Sequence, residues 1–389
     1  MIEPEKLLYL DNNATTAIDP AVLESMRPFL EKFFANPSSG YGFAAQVRDA
    51  IEQAREQVAK LLGCEASEIV FTSGGTESNN TAFHSALQAV PERRHIVTTA
   101  VEHSAVLRPA KDLERRGYEV TFLNVDQSGR LNLSELADAI RPDTALISVM
   151  WANNETGVIF PIEEVAAIAR EKKVPFHTDA VQAAGKVELK LSNVPLQFLS
   201  ISGHKIHGPK GVGALYVNRH ARFRPLLLGG SHENNRRAGT ENAASIIGLG
   251  KAAEIARAQL REEQVRVRRM RDRFESALLE KISDARINGS GAERLPNTSS
   301  IMFDGIESDA ALLMLDQKNV CCSAGSACRT GSLTPSHVLS AMGLLGDEAR
   351  GSLRFSFGRY NTEAEVDRAL KIVPEVIAKL RALSPAVAN

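Results

Sequence analysis

Apolar and polar positions switch between two periods through the first two-thirds of the chain. Ala44 to Leu62 carries apolar residues at three- and four-residue spacing and stops at Gly63, which predicts a helix ending on a glycine C-cap. Glu68 to Thr72 (EIVFT) is a short apolar run and predicts a buried strand. His95 to Thr99, Glu119 to Val125, Thr144 to Trp151, Val174 to Thr178, Phe198 to Ser202 and Gly213 to Val217 predict strands in the same way. Helical stretches such as Leu133 to Ile140 and Ile162 to Glu171 separate most of them. Strands alternating with helices imply an α/β fold with a mostly parallel sheet and helices on both faces. Such sheets bind ligands at the carboxyl ends of their strands. Nearly every unusual polar cluster of this chain directly follows one of those strands.

Further on, Lys251 to Ile282 is a charged stretch in which Val267, Met270, Phe274 and Leu278 recur at three- and four-residue spacing. One buried and one solvated helix face account for it better than a docking helix does. It predicts a bridge into a smaller C-terminal domain running to Asn389. At 389 residues the chain is long enough for a large domain and a small one. Hydrophobic residues make up 43% and charged residues 24%, as in ordinary globular proteins. The formal net charge of −1 offers no basic field for nucleic acid or an anionic membrane. No apolar stretch approaches the roughly 20 residues that span a bilayer. Met1 to Leu10 mixes acids with apolar residues, so no signal peptide is read. Four cysteines in so long a chain do not make a disulfide scaffold, and a reducing cytoplasm is expected.

The chemistry concentrates after the strands. Ser202-Gly203-His204-Lys205 follows FLSIS. A single lysine is ordinarily a surface residue, but one held among apolar strands has a lowered pKa and can form a Schiff base. Lys210, in the glycine-rich turn beyond it, reads as solvated. Asp179 in HTDAVQ follows another strand, where it either caps the next helix or holds a pyridinium nitrogen. Gln182 lies three residues on. Ser73-Gly74-Gly75-Thr76 follows EIVFT, and its glycines and helix N-terminus suit a phosphate. As a bare pattern it is weak, and it lacks the spacing of a nucleotide loop. Glu102-His103 and Asn153-Asn154 follow two more strands. His103 is a candidate to stack on a flat ring and move protons, although a lone histidine is more often structural.

With these segments in order, the chain resembles the fold-type I pyridoxal-phosphate enzymes, and among them the cysteine desulfurases of the nitrogen-fixation and iron–sulfur-cluster type. The resemblance is carried by YLDNNATT (Tyr9 to Thr16), NPSS (Asn36 to Ser39), FTSGGTESNN (Phe71 to Asn80), EHSAV (Glu102 to Val106), NNETG (Asn153 to Gly157), HTDAVQAAGK (His177 to Lys186), SGHKIHGPKG (Ser202 to Gly211), RRAGTEN (Arg236 to Asn242), SAGSAC (Ser323 to Cys328) and RFSFGR (Arg354 to Arg359). It implies a mostly parallel seven-stranded sheet in a large cofactor-binding domain over 1–255. A smaller α+β C-terminal domain over 256–389 carries the cysteine loop, and about the first 14 residues pack on it.

The same resemblance implies the site. Lys205 bonds the pyridoxal phosphate aldehyde, His103 stacks on its ring, and Asp179 pairs with the ring nitrogen. Asn154 and Gln182 lie near the ring hydroxyl. Gly75, Thr76, Ser202 and His204 hold the phosphate, and Thr240 of a second subunit completes that cup, so a homodimer is expected. Arg354 and Asn36 hold the substrate carboxylate. Cys328 takes the sulfur of L-cysteine as a persulfide, leaving alanine, and passes it to a scaffold protein for iron–sulfur clusters. No resident metal is implied, and at most a transient iron–sulfur contact through Cys328. The Gly/Ser-rich setting of Cys328 suits a thiol that must move. Cys321-Cys322 reads as a core strand end, because a metal site with Cys328 and His337 does not match the common zinc spacings. Cys64 reads as buried and inert. A selenocysteine lyase, or a β-lyase or aminotransferase on the same fold, is the alternative.

Overall fold

In the computed structural model, which describes residues 6–324, 336–344 and 347–383, the seven apolar runs assemble into one sheet. In chain order the elements are β1 (Leu8–Tyr9), α1 (Pro20–Glu31), α2 (Gly42–Leu62), β2 (Ile69–Thr72), α3 (Gly75–Ala89), β3 (His95–Thr99), α4 (Ser104–Arg115), β4 (Glu119–Leu123), α5 (Leu133–Ala139), β5 (Thr144–Ser148), α6 (Ile162–Glu171), β6 (Phe176–Asp179), β7 (Phe198–Ser202) and β8 (Gly213–Val217). There follow α7 (His232–Asn235), α8 (Ala243–Lys281), β9 (Ala285–Ile287), β10 (Thr298–Phe303), α9 (Ser308–Asp316), β11 (Val320–Cys321), α10 (His337–Ala341), α11 (Asp347–Arg350), β12 (Ser352–Ser356) and α12 (Glu363–Leu383).

The large sheet has the order β2-β8-β7-β6-β5-β3-β4. Its strands β4, β3, β5, β6 and β7 pair in parallel. β8 runs antiparallel to both β7 and β2. A parallel neighbour needs a long crossover, and residues 203–212 are too short for one, so the chain can only return antiparallel. Gly213 is required where it returns, since a Cβ there would come within 2.5 Å of the Ile201 carbonyl oxygen. The predicted strands 119–125, 144–151 and 174–178 leave the ladder early or begin late. Past the end of β5 at Ser148 the chain leaves the ladder, and Met150, Ala152 and Asn154 line the cavity described below.

A second sheet, β12-β10-β9, is antiparallel and lies on its own apolar cluster. That cluster takes Val267, Met270, Phe274 and Leu278 from α8, together with Leu8 and Leu10 from the N-terminal segment. The predicted buried face of the long helix is therefore present. The helix itself begins at Ala243, eight residues earlier than its charge pattern suggests, and its first turns give Ile246, Leu249, Ala252 and Ala253 to the main core. β1 pairs with β11 in parallel, and Asn13 to Thr16 then cross to the large sheet, where Thr16 N–H donates to the His204 carbonyl at 2.9 Å. Among the described residues no helix is long and apolar enough to cross a membrane.

Candidate active site

The carboxyl ends of β2, β6 and β7 open on one cavity of about 360 Å³, within the range of small-molecule sites. Lys205 reaches it from the turn after β7, where its ammonium donates to the carbonyls of Asn13 and Ala14, the latter at 2.8 Å. Asp179 reaches it from the end of β6. Its Oδ1 accepts from Val181 N–H at 3.0 Å, and its Oδ2 accepts from Asn79 Nδ2 at 2.7 Å. The first bond closes the turn over residues 181–186; no helix begins there, so the helix-capping role weighed above is not the one Asp179 takes. The second ties the carboxylate to Asn79, which lines the same cavity.

His103 is the N-cap of α4, with Nδ1 accepting from Ala105 N–H at 3.2 Å. Accepting at Nδ1 fixes the neutral tautomer with its proton on Nε2. Burial lowers the imidazole's pKa, the charges of Lys205 and His337 lower it further, and Asp179 opposes them. Beside it Glu102 is fully buried. Burial pushes its carboxyl up to about 8, against bonds from Thr99 Oγ1 at 3.0 Å and Met150 N–H at 2.8 Å. His204, its Nδ1 3.1 Å from Thr15 Oγ1, is pushed down to about 4 by burial and then by the charge of Lys205.

At the first residue of α3, Gly75 lines the cavity with Thr76. A Cβ at Gly75 would meet Val181 Cγ2 at 2.8 Å, so glycine keeps the helix end open to the cavity. Ser202, Asn154 and Gln182 line the same space. Arg354, in β12, is 1% exposed. It donates from Nη1 to the Asn154 carbonyl at 2.9 Å and from Nη2 to Asp11 Oδ1 at 2.6 Å, and its Nε–H has no partner among the described residues. Its bond to Asp11 ties it to the base of the cysteine-bearing segment, since Ser323 Oγ donates to Asp11 Oδ2 at 2.9 Å.

A flat phosphorylated aldehyde fits what is there. A lysine, a carboxylate, a helix N-terminus and an imidazole face one cavity, and the buried Asn79 Oδ1 is left without a partner among the described residues.

A family model described as aminotransferase class-V matches residues 8–369. The chain belongs to that family. Among class-V aminotransferases it is 53% identical over 379 residues to a cysteine desulfurase of Nostoc sp., covering 97% of this chain and 95% of that one. It is 52% identical to cysteine desulfurase NifS of Azotobacter vinelandii, with 97% and 94% covered. A solved NifS-like protein superposes with a TM-score of 0.90 at 38% identity, covering 96% of this chain and all of that one. SspA, solved in complex with cysteine, gives 0.80 at 37% identity over 91% of this chain and 99% of its own. These likenesses put the chain in the cysteine desulfurase branch of the class-V family, of NifS type.

The structure of this class-V member brings ten of the thirteen residues singled out by sequence into the cavity lining. Three are not among them. Asn36 is exposed, and its Oδ1 accepts from Ser38 N–H at 2.9 Å. Thr240 is exposed and lines a separate cavity of about 180 Å³ with Ser73 and Arg237. Cys328 lies outside the described residues.

Cys321 does stand in a strand, β11, and Cys322 follows it; burial pushes both thiols up. Cys64 is half-buried rather than fully so, with its thiol pushed up to about 12 by burial. Sequence reasoning gave no role to Asn13 or Asn79 and weighed His337 only as a metal ligand; all three line the cavity. His337 Nε2 donates to the Glu102 carbonyl at 2.9 Å. The polar run Asp11-Asn12-Asn13 after an apolar pair was the one available signal for the first.

Proposed function

We propose that this chain is a pyridoxal-phosphate-dependent cysteine desulfurase that works as a homodimer. The observation that carries the reading is the meeting of Lys205, Asp179, His103 and Arg354 on one cavity at the strand ends. Bound there, pyridoxal phosphate supplies an aldehyde for an amine and an electron sink for the bond next to it. Asp179 holds the proton of the ring nitrogen, with Asn79 keeping the carboxylate in place. Gly75, Thr76, Ser202 and His204 hold the phosphate, with Asn154 and Gln182 near the ring oxygen. Arg354 grips the L-cysteine carboxylate through the N–H groups that Asp11 and Asn154 leave. Lys205, once its amine is released, takes the Cα proton. Neutral His103 moves the proton of the substrate thiol.

Cys328, as thiolate, attacks the substrate sulfur. An S–S bond forms, the C–S bond breaks, and its electron pair stays on the carbon fragment, which takes up a proton and leaves as alanine. The sulfur then passes to a scaffold for iron–sulfur clusters, in the cytoplasm. In the proposed dimer Thr240 meets the partner's phosphate and Asn36 is brought toward substrate. The division into 1–255 and 256–389 separates the cofactor-holding part from the part bearing Cys328. Large apolar side chains exposed on one chain, Phe34 at 79% and Leu228 at 83%, are what a second copy would cover.

The test is mass spectrometry after one turnover of the pyridoxal-phosphate enzyme with L-cysteine, without reductant. A sulfur adduct should sit on the peptide holding Cys328 and vanish in Cys328→Ser. Alanine and sulfide with no adduct on any cysteine would instead favour direct elimination, as in a β-lyase or selenocysteine lyase.

A further inference from the structure

The motif HTDAVQAAGK ends on a lysine to which the proposed reaction gives no task. Lys186 lies behind Gln182, and its ammonium donates to the Gln182 carbonyl at 3.1 Å and to Gln182 Oε1 at 2.9 Å. The other end of that amide, Nε2, donates to the Asn13 carbonyl at 2.9 Å. The same carbonyl accepts from Lys205. Lys186, Gln182, Asn13 and Lys205 therefore form one chain of hydrogen bonds. It links a second cavity of about 30 Å³, which Lys186 and Lys205 share, to the catalytic one.

The chemistry of the two partners decides which way the amide faces. In its charged form Lys186 can only donate, and the atom beside it is then the oxygen. A peptide carbonyl can only accept, so the atom beside Asn13 is the nitrogen. Gln182 is thereby held with its oxygen turned to Lys186, and its second Nε2–H is used by neither of these partners, while the residue lines the cavity. An anionic ring oxygen needs that donor and would be repelled by the carbonyl oxygen of a flipped amide.

We propose that Lys186 is a positioning residue that locks Gln182 as a hydrogen-bond donor toward the bound cofactor and adds positive charge behind Lys205. This rests on the proposed function and deepens it. Lys186 is itself poised near neutrality, since burial first and the charge of Lys205 second push it down to about 7. The charged and titratable groups around it are Lys205, His204 and His207 from the turn after β7, Glu263 from α8, Arg354 from β12 and Arg359 just beyond. Glu263 is the acid of this set and is paired with Arg359 at 3.0 Å, so it offsets Lys186 only in part.

The experiment uses apo-protein titrated with pyridoxal phosphate, and the pH dependence of the bound cofactor's absorbance. In Lys186→Met the Gln182 oxygen loses its donor, so cofactor should bind on the order of tenfold more weakly. The absorbance midpoint should move to higher pH, because losing a nearby cation and a donor to the ring oxygen both favour the protonated form. Lys186→Gln keeps a donor and loses the charge; it should bind cofactor more tightly than Lys186→Met and still move the midpoint upward. Wild-type affinity and midpoint in Lys186→Met would overturn the inference. If that variant does not fold, an unmoved midpoint in Lys186→Gln overturns it equally. A wild-type protein that binds no pyridoxal phosphate would overturn the proposed function, and this inference with it.

Discussion

In the proposed function His103 carries a structural and a chemical task on different atoms. Nδ1 caps α4, and the ring lines the cavity. The two tasks separate under substitution. In His103→Asn the side-chain oxygen can still accept from Ala105 N–H, and asparagine is among the better N-caps, so the loss of stability should stay within about 1 kcal/mol. The proton carrier is gone, so turnover should fall on the order of 10²- to 10⁴-fold. Thermal melts measured beside steady-state kinetics read both quantities. A variant that melts early and turns over normally would make His103 a cap and nothing more. Legibility at this scale was uneven for the same reason. Residues that follow a strand and are chemically unusual, such as Lys205, Asp179 and His103, could be found by position. Asn79 and Lys186 act through Asp179 and Gln182, and no local pattern advertises a side chain whose partner is another side chain.

The elements that were misread are those whose packing hides their period. The first turns of α8 read Ala-Ala-Ser-Ile-Ile-Gly-Leu-Gly, with two glycines that argue against a helix when taken alone. They are there because α2 lies against them: a Cβ at Gly250 would fall 2.5 Å from Ala54 Cα and 2.6 Å from Ala54 Cβ. Alanine in place of a helical glycine gains about 1 kcal/mol of propensity. The contact is with backbone, which cannot turn aside, and forcing two packed helices apart costs about 1–3 kcal/mol. The clash should win. Gly250→Ala is expected to lower the midpoint of urea unfolding without changing its slope. A more stable variant would show that α2 and α8 can separate at no cost. In contrast, Val267, Met270, Phe274 and Leu278 sit on the charged half of the same helix. Their spacing was plain because solvent lies opposite them, and all four are buried.

At the scale of the whole molecule, the proposed function calls for a second subunit. Thr240 lines no part of the catalytic cavity in its own chain. If it completes the phosphate cup of a partner, dilution of the pyridoxal-phosphate enzyme into monomers should release cofactor. Sedimentation and cofactor absorbance over the same concentration series check this, and full retention in a verified monomer would end the idea. The sequence by itself determined the alternation of strand and helix, and with it a mostly parallel sheet whose strand ends hold the site. Those follow from periods of hydrophobicity and from the geometry of crossover connections, which are local properties of the chain. Only the tertiary structure decided that β8 runs against its neighbours, that Asn13 crosses from the N-terminal strand to meet Lys205, and that Asp11 joins Arg354 to Ser323. These contacts join residues up to 343 positions apart. They depend on which surfaces come to face each other once the apolar faces are buried, and hydrophobic period carries no information about that.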